Sequence, residues 1–344
     1  MTGVQQVTVA DDEAEQRLDR WFRRRWPHVG QGRIEKMCRK GEIRVDGGRA
    51  KPATRVAPGQ VVRIPPLPAD DAPRPVAEPR TKVDGGDAKM LQDAVLFRDD
   101  HMIALNKPPG LAVQGGSKQR RHLGAMLEAL RFGRDDDPRL VHRLDRDTSG
   151  VLVLARTGAA ATALARSFRS RDMQKVYLAA VAGRPDPQAG TIRFGLVKAG
   201  GRGAERMETV HPNDIADTEG AKAAVTDYRV IESLGGRISA VALRPVTGRT
   251  HQLRAHMAAL GNPIAGDGKY GGRGQENLGD GWGAGLGGAL SRKLHLHAAQ
   301  LHFLHPMTGK QMHLTAPLPE HMVRTWKTVG WEAKVPAEDL FADW

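Results

Sequence analysis

Residues 142–155 read HRLDRDTSGVLVLA and join a charged loop to an apolar run. The first eight of them hold two carboxylates, two guanidiniums, one imidazole and two hydroxyls. The apolar, partly β-branched run that follows predicts a buried strand. A loop anchored to a buried strand can hold a reactive carboxylate in a fixed position. The alternative is a surface turn in which Asp145 and Asp147 cap backbone N–H groups, because Asp and Ser are ordinary turn residues.

A second segment with polar side chains in a strand pattern occupies residues 173–183, MQKVYLAAVAG. Because successive side chains of a strand point to opposite faces, Lys175 and Tyr177 lie on the same face. Tyr177 is one of three tyrosines in the chain. The segment therefore offers one strand face for a functional site, or a core position for the aromatic ring.

Residues 247–256, TGRTHQLRAH, predict a turn that enters a helix. Thr250 has the side chain of a helix N-cap, and His251 and Arg254, three residues apart, share a helix face. A solvated helix face is the alternative for Arg254. Residues 261–270, GNPIAGDGKY, follow as a glycine-rich turn region.

The length of 344 residues favours two domains, and the net charge is +13. A charge of this sign favours polyanionic partners, nucleic acid before an anionic membrane surface, with a generic basic surface as the alternative. Cys38 is the only cysteine, so no disulfide can form within the chain. The sequence contains neither a secretory signal nor an apolar run of about 18–20 residues. We therefore expect a cytoplasmic protein that does not cross a membrane.

The basic residues are concentrated near the N-terminus, where residues 17–63 hold 14 Lys and Arg against four acidic residues. Apolar spacing predicts a first helix around Trp21 and a second over residues 32–40, with Gly41 as its C-terminal stop. Short strands are predicted between this stop and residue 64. Cations on one side of these elements suit the phosphates of a nucleic acid. The residues predicted to bind them are Arg23, Arg33, Lys36, Arg39 and Lys40.

The composition divides the chain into four parts. These are a basic module at residues 1–66, a proline-rich linker at 67–92, a larger domain at 93–330 and a C-terminal tail at 331–344. A structured segment near the end of the linker is the alternative there. Residues 271–290 contain nine glycines and predict a mobile loop.

In the larger domain, predicted strands outnumber helices without strict alternation. Strands are expected at 95–97, 102–105, 151–155, 176–182, 225–231, 237–243 and 294–304, and helices at 122–131, 158–170 and 250–260. This order favours the α+β class with a mixed, largely antiparallel sheet, beside a small α/β module at the N-terminus.

Four motifs, HRLDRDTSG, KxYxA, GRTHQLRAH and GxPIxGDxxY, occur here in the same order as in the RluA-type pseudouridine synthase family. The chain closely resembles that family. Its N-terminal module is similar to the S4 RNA-binding module. Two segments carry this similarity, RKGEIRV at residues 39–45 and the later PGQVV, which is a predicted strand. Asp46 departs from that pattern, which commonly has Asn. The sequences of residues 173–179 and 296–306 look most like those of the family branch that acts on large-subunit ribosomal RNA.

The resemblance implies conversion of uridine to pseudouridine in RNA. In this reaction the N1–C1′ bond breaks, the uracil turns, and C5 bonds to C1′. Such chemistry calls for an ionised carboxylate beside the sugar, a role that the resemblance gives to Asp145. Attack by the carboxylate and proton abstraction from the sugar are both open as its first step. Desolvation penalises a charged carboxylate, and the resemblance supplies Arg254 as the opposing cation.

The resemblance also implies that Tyr177 stacks on the uracil and acts as the base for the C5 proton. The target uridine must leave its helix stack, and Arg143 is implied to fill the vacated space; contact with phosphate alone is its alternative. The residues expected to line the pocket, by RNA contact or by structural support, are His142, Thr148, Arg249, His251 and Gln252. Asp147 is predicted to cap a turn, because two adjacent carboxylates repel.

The implied isomerisation is redox-neutral and involves no hydrolysis, so no cofactor is expected. Two strings at 266–271 and 283–288 fit GxGxxG, but neither clearly joins a strand to a helix, and no dinucleotide site is predicted. No metal site is predicted either. His295 and His297 alternate on one strand without cysteine or glutamate partners, and are interpreted as polar positions on a half-exposed strand.

The expected partner is RNA, as 23S ribosomal RNA or a ribosomal precursor, and the expected state is a monomer. Three alternatives stay open: a synthase for tRNA or another ribosomal site, a non-catalytic ribosome-assembly factor, and a nucleoside hydrolase. The presence of Asp145, Tyr177 and Arg254 together favours an enzyme over the assembly factor.

Overall fold

The computed structural model describes residues 3–10, 13, 16–67, 83–115, 121–170, 172–199, 206–271 and 290–342. The chain divides into two compact units, Met1–Thr81 and Lys82–Trp344. No helix in the described ranges has the length and apolar character needed to cross a membrane. Apart from its two end residues, the predicted glycine-rich loop at 271–290 lies outside these ranges.

The first unit combines two helices with a small antiparallel sheet. Its elements are β1 (Gln5–Thr8), α1 (Leu18–Arg25), α2 (Gln31–Lys40), β2 (Arg44–Val45), β3 (Gly48–Arg49) and β4 (Val61–Ile64). The strands lie in the order β1-β4-β2-β3. Trp21, Phe22 and Ile34 from the two helices pack with Val62 in one buried cluster. Gly41 ends α2 with a φ of 70°, so the predicted helix stop is confirmed.

The second unit is built on a large sheet. Its elements are α3 (Gly85–Asp93), β5 (Val95–Arg98), β6 (Met102–Lys107), β7 (Arg139–Leu140), β8 (Ser149–Ala155), α4 (Gly158–Arg169), β9 (Gln174–Ala182), β10 (Ala189–Ile192), β11 (Gly195–Ala199), β12 (Arg206–Val210), β13 (Lys222–Ala223), β14 (Thr226–Leu234), β15 (Ile238–Pro245), α5 (Gln252–Ala259), β16 (Leu296–Leu304), β17 (Gln311–Thr315) and α6 (Glu320–Thr328). Within the described residues the strand order is β10-β14-β15-β9-β16-β8-β6-β5, with β17 on β16 and β7 on β8.

The predicted mixed, largely antiparallel sheet is confirmed. Among the described strands, β8 and β16 form the one parallel pair, with Ser149 opposite His297 and Gly150 opposite Ala298. On its other edge β16 pairs with β9, where Ala298 lies opposite Tyr177. The loop that carries Asp145 therefore enters the sheet two strands away from Tyr177. A smaller sheet, β12-β11-β13, lies in the same unit.

Gly150 has a structural reason to be glycine. Its φ is 109°, and a Cβ built there would overlap the backbone carbonyl of Ala298 on β16. Only glycine adopts this conformation readily and leaves room for so close a neighbour. The glycine that ends the charged loop is thus required by the β8–β16 pairing.

Two regions differ from the sequence predictions, and the packing of a third, the C-terminal tail, was left open. The predicted helix at 122–131 is two short 3₁₀ turns, Leu123–Ala125 and Leu127–Leu130, whose N–H groups bond three residues back. The end of the predicted linker forms α3, because Leu91 is buried in the core of the second unit. The predicted tail packs as well: Phe341 joins a buried cluster that includes residues of α6.

Candidate active site

A cavity of about 310 Å³ lies where the loop before β8, the strand β9 and the start of α5 meet. It collects all the site residues that the sequence predicted in the second unit. They are His142, Arg143, Asp145, Thr148, Tyr177, Arg249, His251, Gln252 and Arg254. The motifs that carry them are far apart in sequence, so the fold brings them together.

Asp145 lies on the wall of this cavity, with its side chain 20% exposed. Its Oδ2 is 3.5 Å from Nη1 of Arg254 and 3.7 Å from Nε2 of His251. A fixed opposite charge at this distance attracts the carboxylate. The carboxylate thus has a cationic neighbour and is still open to a ligand.

Arg254 is held by a second carboxylate, that of Asp267. Nε and Nη2 of Arg254 each lie 2.7 Å from one oxygen of Asp267, whose side chain is fully buried. Burial lowers the pKa of Arg254, but the hydrogen bonds and charge of Asp267 outweigh it, so the pKa is raised overall. The guanidinium is therefore charged and fixed in direction. Asp267 lies in the glycine-rich turn at 261–270, and no role was predicted for it from the sequence.

His251 is oriented by Tyr270. The N–H of Met207 on β12 donates to the Tyr270 hydroxyl at 2.9 Å, so that hydroxyl directs its own proton to Nδ1 of His251, also at 2.9 Å. The remaining imidazole N–H is then on Nε2, facing Asp145. Burial lowers the pKa of His251 although the charge of Asp145 opposes this, so the ring is neutral. Tyr270 thereby selects the tautomer that points at the carboxylate.

The turn before α5 is closed by Gln252 rather than by the predicted cap. The N-cap residue is His251, in the left-handed region with a φ of 52°, and not Thr250. The side-chain oxygen of Gln252 accepts the Arg249 N–H at 3.0 Å and the Thr247 hydroxyl at 2.7 Å. Because this amide already closes the turn, a threonine cap is not needed. The Gln252 NH₂ group donates to the carbonyl of Val225 and to the hydroxyl of Thr226. Gln252 therefore supports the site from within the protein.

His142 is also engaged by the protein. Its Nε2 accepts the N–H of Val153 at 2.8 Å, and its ring stacks on Phe168 with centroids 3.9 Å apart. Burial lowers the pKa of His142 to about 3, so the imidazole is neutral. His142 therefore ties the charged loop to β8 beside the cavity. Thr148, in the same loop, is buried.

Tyr177 is half-buried and lines the cavity together with Asp145. Burial, together with the negative charge of Asp145, raises the pKa of its phenol. The hydroxyl is therefore protonated at neutral pH, and a protonated phenol is a poor base.

Two exposed arginines stand at the mouth of the cavity. Within the described residues the side chain of Arg143 makes no hydrogen bond or ion pair, so it can reach a ligand. Arg249 donates from Nε to the carbonyl of Ala223 at 3.2 Å. Asp147 is bound by the side chain of its neighbour Arg146 at 3.1 Å. In the described part of the chain no backbone N–H donates to Asp147, so the predicted turn cap is wrong. The adjacent guanidinium of Arg146 binds the carboxylate instead.

Lys107 holds the backbone of the Asp145 loop in place, and this role was not predicted from the sequence. Its buried Nζ donates to the carbonyls of Pro108 and Leu111 at 2.9 Å and of Arg146 at 3.0 Å. Burial lowers the pKa of Lys107 to about 7, and the charges of the loop aspartates act against this shift. In the sequence, Lys107 stands in the turn segment NKPPG, residues 106–110, which begins at the end of β6.

His295 and His297 are fully buried, so the interpretation as half-exposed positions is wrong. His295 bonds to the hydroxyl of Thr325 at 2.8 Å, and His297 bonds to the hydroxyl of Ser149 at 2.9 Å. These hydrogen bonds give partners to imidazole nitrogens whose burial without a partner would be unfavourable. His297 thereby ties β16 to the first residue of β8.

The predicted RNA ligands of the first unit lie on its surface. Arg23 is exposed on α1, and the exposed cations of α2 are Arg33, Lys36, Arg39 and Lys40. The opposite side of α2 is buried through Ile34, Met37 and Cys38, as the apolar spacing predicted.

The sequence of the chain is similar to those of known proteins. Residues 101–259 match the family model described as RNA pseudouridylate synthase. Proteins named "Ribosomal large subunit pseudouridine synthase C" are 36% identical in Vibrio cholerae, over 93% of this chain and 95% of that protein, and 39% identical in Yersinia pestis, over 93% of each. The chain therefore belongs to the RNA pseudouridine synthase family, whose members isomerise uridine in RNA to pseudouridine.

Solved structures give the same result for the fold. "Human RNA Pseudouridylate Synthase Domain Containing 4" has a TM-score of 0.58 and 29% identity, covering 72% of this chain and 97% of that one. "Human RNA Pseudouridylate Synthase Domain Containing 1" has a TM-score of 0.52 and 28% identity, covering 69% and 86%. The pseudouridine synthase fold is thus present.

Proposed function

We propose that this protein isomerises specific uridines of large-subunit (23S) ribosomal RNA to pseudouridine in the cytoplasm, with Asp145 as the reactive carboxylate. The observation that carries the proposal is the placement of Asp145 on an open cavity, 3.5 Å from a guanidinium that Asp267 fixes. The choice of RNA is supported by the relatives, which are named for the large ribosomal subunit.

In this proposal the uracil of a flipped-out uridine enters the cavity and stacks on Tyr177, and Asp145 acts at the sugar while the N1–C1′ bond breaks. Arg254 stabilises the carboxylate charge as water leaves the site. Arg143, exposed at the cavity mouth, fills the space that the uridine leaves in its helix. His251 and Lys107 keep the carboxylate in position from two sides.

The first unit is proposed to work as an S4-like RNA-binding module at residues 1–66. The exposed cations of α1 and α2 would contact RNA phosphates. The linker then ends before α3, the catalytic domain continues to residue 330, and residues 331–344 form a tail that is packed at least to Phe341. A monomer is the proposed working state.

The test is to incubate the pure protein with an unmodified 23S rRNA transcript and to map pseudouridine by carbodiimide-dependent reverse-transcription stops. Asp145→Asn should abolish the stops while RNA affinity stays within a few-fold, because one oxygen is replaced and little surface is lost. Asp147→Asn is the matched control and should keep the stops, because Asp147 bonds only to Arg146 among the described contacts.

Near wild-type activity in Asp145→Asn would overturn the assignment of the carboxylate. A wild-type protein that gives no stops on 23S rRNA would shift the substrate to tRNA or a ribosomal precursor. Inactivity on those RNAs as well would favour a non-catalytic assembly factor.

A further inference from the structure

Lys175 stands at the junction of two cavities. It lies two residues before Tyr177 on β9 and lines the 310 Å³ cavity. It also lines a second cavity of about 660 Å³, which shares Phe168, Pro245 and the 247–249 turn with the first. Both volumes are in the range of ligand sites, about 300–1,000 Å³. The two cavities are therefore neighbouring compartments of one groove.

Among the described residues, the ammonium of Lys175 has no anionic partner. Within the described ranges the ammonium makes no hydrogen bond or ion pair. It makes a cation–π contact with the Phe168 ring, with 5.3 Å from Nζ to the ring centroid. Burial lowers the pKa of Lys175. Lys107 is the contrast, since its buried ammonium reaches three carbonyls. A half-buried cation left without a partner is costly, so Lys175 marks a place where a ligand supplies the negative charge.

The second cavity has a surplus of cations. Its charged lining residues are Arg169, Lys175, Arg244 and Arg249 against Asp172 and Asp339. Arg244 is already bound by Asp227 at 2.9 Å and Arg249 by the carbonyl of Ala223 at 3.2 Å. Among the described residues, the side chains of Arg169 and Lys175 are left for a ligand. Asp339 accepts hydrogen bonds from the Gln174 amide and the Phe341 N–H, so part of its charge is compensated. The lining suits an anionic ligand with polar edges, such as a nucleotide.

We propose that the second cavity binds the nucleotide adjoining the target uridine, and that Lys175 binds the phosphate between the two nucleotides. The inference rests on the proposed function, which places the uridine beside Asp145. Single-stranded RNA recognised by proteins has its bases splayed apart, which separates two neighbours into two compartments. The connecting phosphate then passes the junction, where Lys175 lies.

The test for Lys175 uses the shortest fragment of 23S rRNA that the wild-type protein modifies. A neutral methylphosphonate replaces the phosphate on the 5′ side of the mapped uridine in one RNA and on the 3′ side in another. One of the two RNAs should bind the wild-type protein about tenfold more weakly. Lys175→Gln should lose about the same affinity with normal RNA, and should lose nothing further with that methylphosphonate.

The control variant is Lys310→Gln, which removes an exposed lysine beyond β16, and its affinity should respond to the methylphosphonate as the wild type does. Lys175→Arg keeps the charge and should retain most of the affinity. Additive losses from Lys175→Gln and each methylphosphonate would overturn the role of Lys175. Because the methylphosphonate series is also measured on the wild-type protein, a folding defect in a variant cannot produce the expected result.

The second cavity is tested with 2-aminopurine placed next to the target uridine on either side. Its fluorescence should rise on binding at one of the two positions, because the base leaves its stack. No rise at either position would overturn the second compartment. If the wild type forms pseudouridine but the fluorescence rises at neither position, only this inference is refuted. If the wild type forms no pseudouridine, the proposed function on which the inference rests is refuted.

Discussion

Arg254 and Asp267 form a bidentate ion pair in which both N···O distances are 2.7 Å. Asp267 also accepts the backbone N–H groups of Lys269 and Tyr270, so its own orientation is fixed by the turn that contains it. The guanidinium consequently faces Asp145 with the one nitrogen that Asp267 does not use. The cation beside the proposed reactive carboxylate is thus positioned by a buried residue that itself lies outside the cavity lining.

Replacement of Asp267 should therefore impair catalysis from a distance. Asp267→Asn removes one charge from a buried pair, which costs about 3–5 kcal/mol of unfolding free energy. The freed guanidinium no longer points at Asp145, and a misplacement of this kind lowers kcat by about a hundredfold. Single-turnover kinetics and urea denaturation measure the two effects.

Asp227→Asn is the matched control, because Asp227 is a buried carboxylate that pairs with Arg244 in the same unit. It should lose comparable stability while keeping kcat within a few-fold. Equal kcat losses in the two variants would show that the effect of Asp267 is only structural.

The tautomer of His251 should depend on Tyr270. Tyr270→Phe keeps the ring, which lies 5.2 Å below the Arg254 guanidinium, but removes the proton that goes to Nδ1. We expect kcat to fall about tenfold with KM unchanged, because a lost hydrogen bond is worth about 1 kcal/mol and the imidazole can then adopt the wrong tautomer. Tyr228→Phe removes a hydroxyl that donates to the carbonyl of Pro187, away from the cavity lining, and should leave kcat as it is. A change in KM with constant kcat would instead place Tyr270 in substrate binding.

The sequence predicted the large elements because their periodicity is strong. The β5–β6 hairpin, β8, α4 and the helix of the 247–256 motif all form where the apolar pattern placed them. The helix predicted at 122–131 failed because an apolar spacing of three or four residues also fits consecutive 3₁₀ turns with buried Leu123 and Leu130. Local pattern alone does not distinguish the two.

The residues that support the site were harder to predict than those that line it. Asp145, Tyr177 and Arg254 stand in motifs with a family resemblance. Asp267 and Lys107 act through contacts between segments far apart in the chain, and a single sequence does not show such pairings. Buried histidines were misjudged for the same reason, since the partners of His295 and His297 come from other elements.

Gly150 should be intolerant of any side chain. Gly150→Ala places a Cβ against the Ala298 carbonyl at a φ of 109°, which should lower the unfolding free energy by about 3 kcal/mol. The matched control is Gly309→Ala, at a φ of 67° with open space around it, which should cost about 1 kcal/mol from backbone strain alone. Urea denaturation of both variants gives the comparison, and equal losses would contradict the steric explanation.

The salt dependence of RNA binding should depend on the first unit. Arg33 and Lys36 are exposed, three residues apart on α2, and each phosphate contact contributes about 0.7–0.9 to the slope of log K against log salt concentration. The double variant Arg33→Gln/Lys36→Gln should therefore reduce that slope by about 1–2. Arg324→Gln/Lys327→Gln removes the same residue types at the same spacing on α6 and should leave the slope unchanged. Equal reductions in both double variants would mean that the positive charge of the whole protein, rather than an RNA-binding surface on α2, sets the affinity.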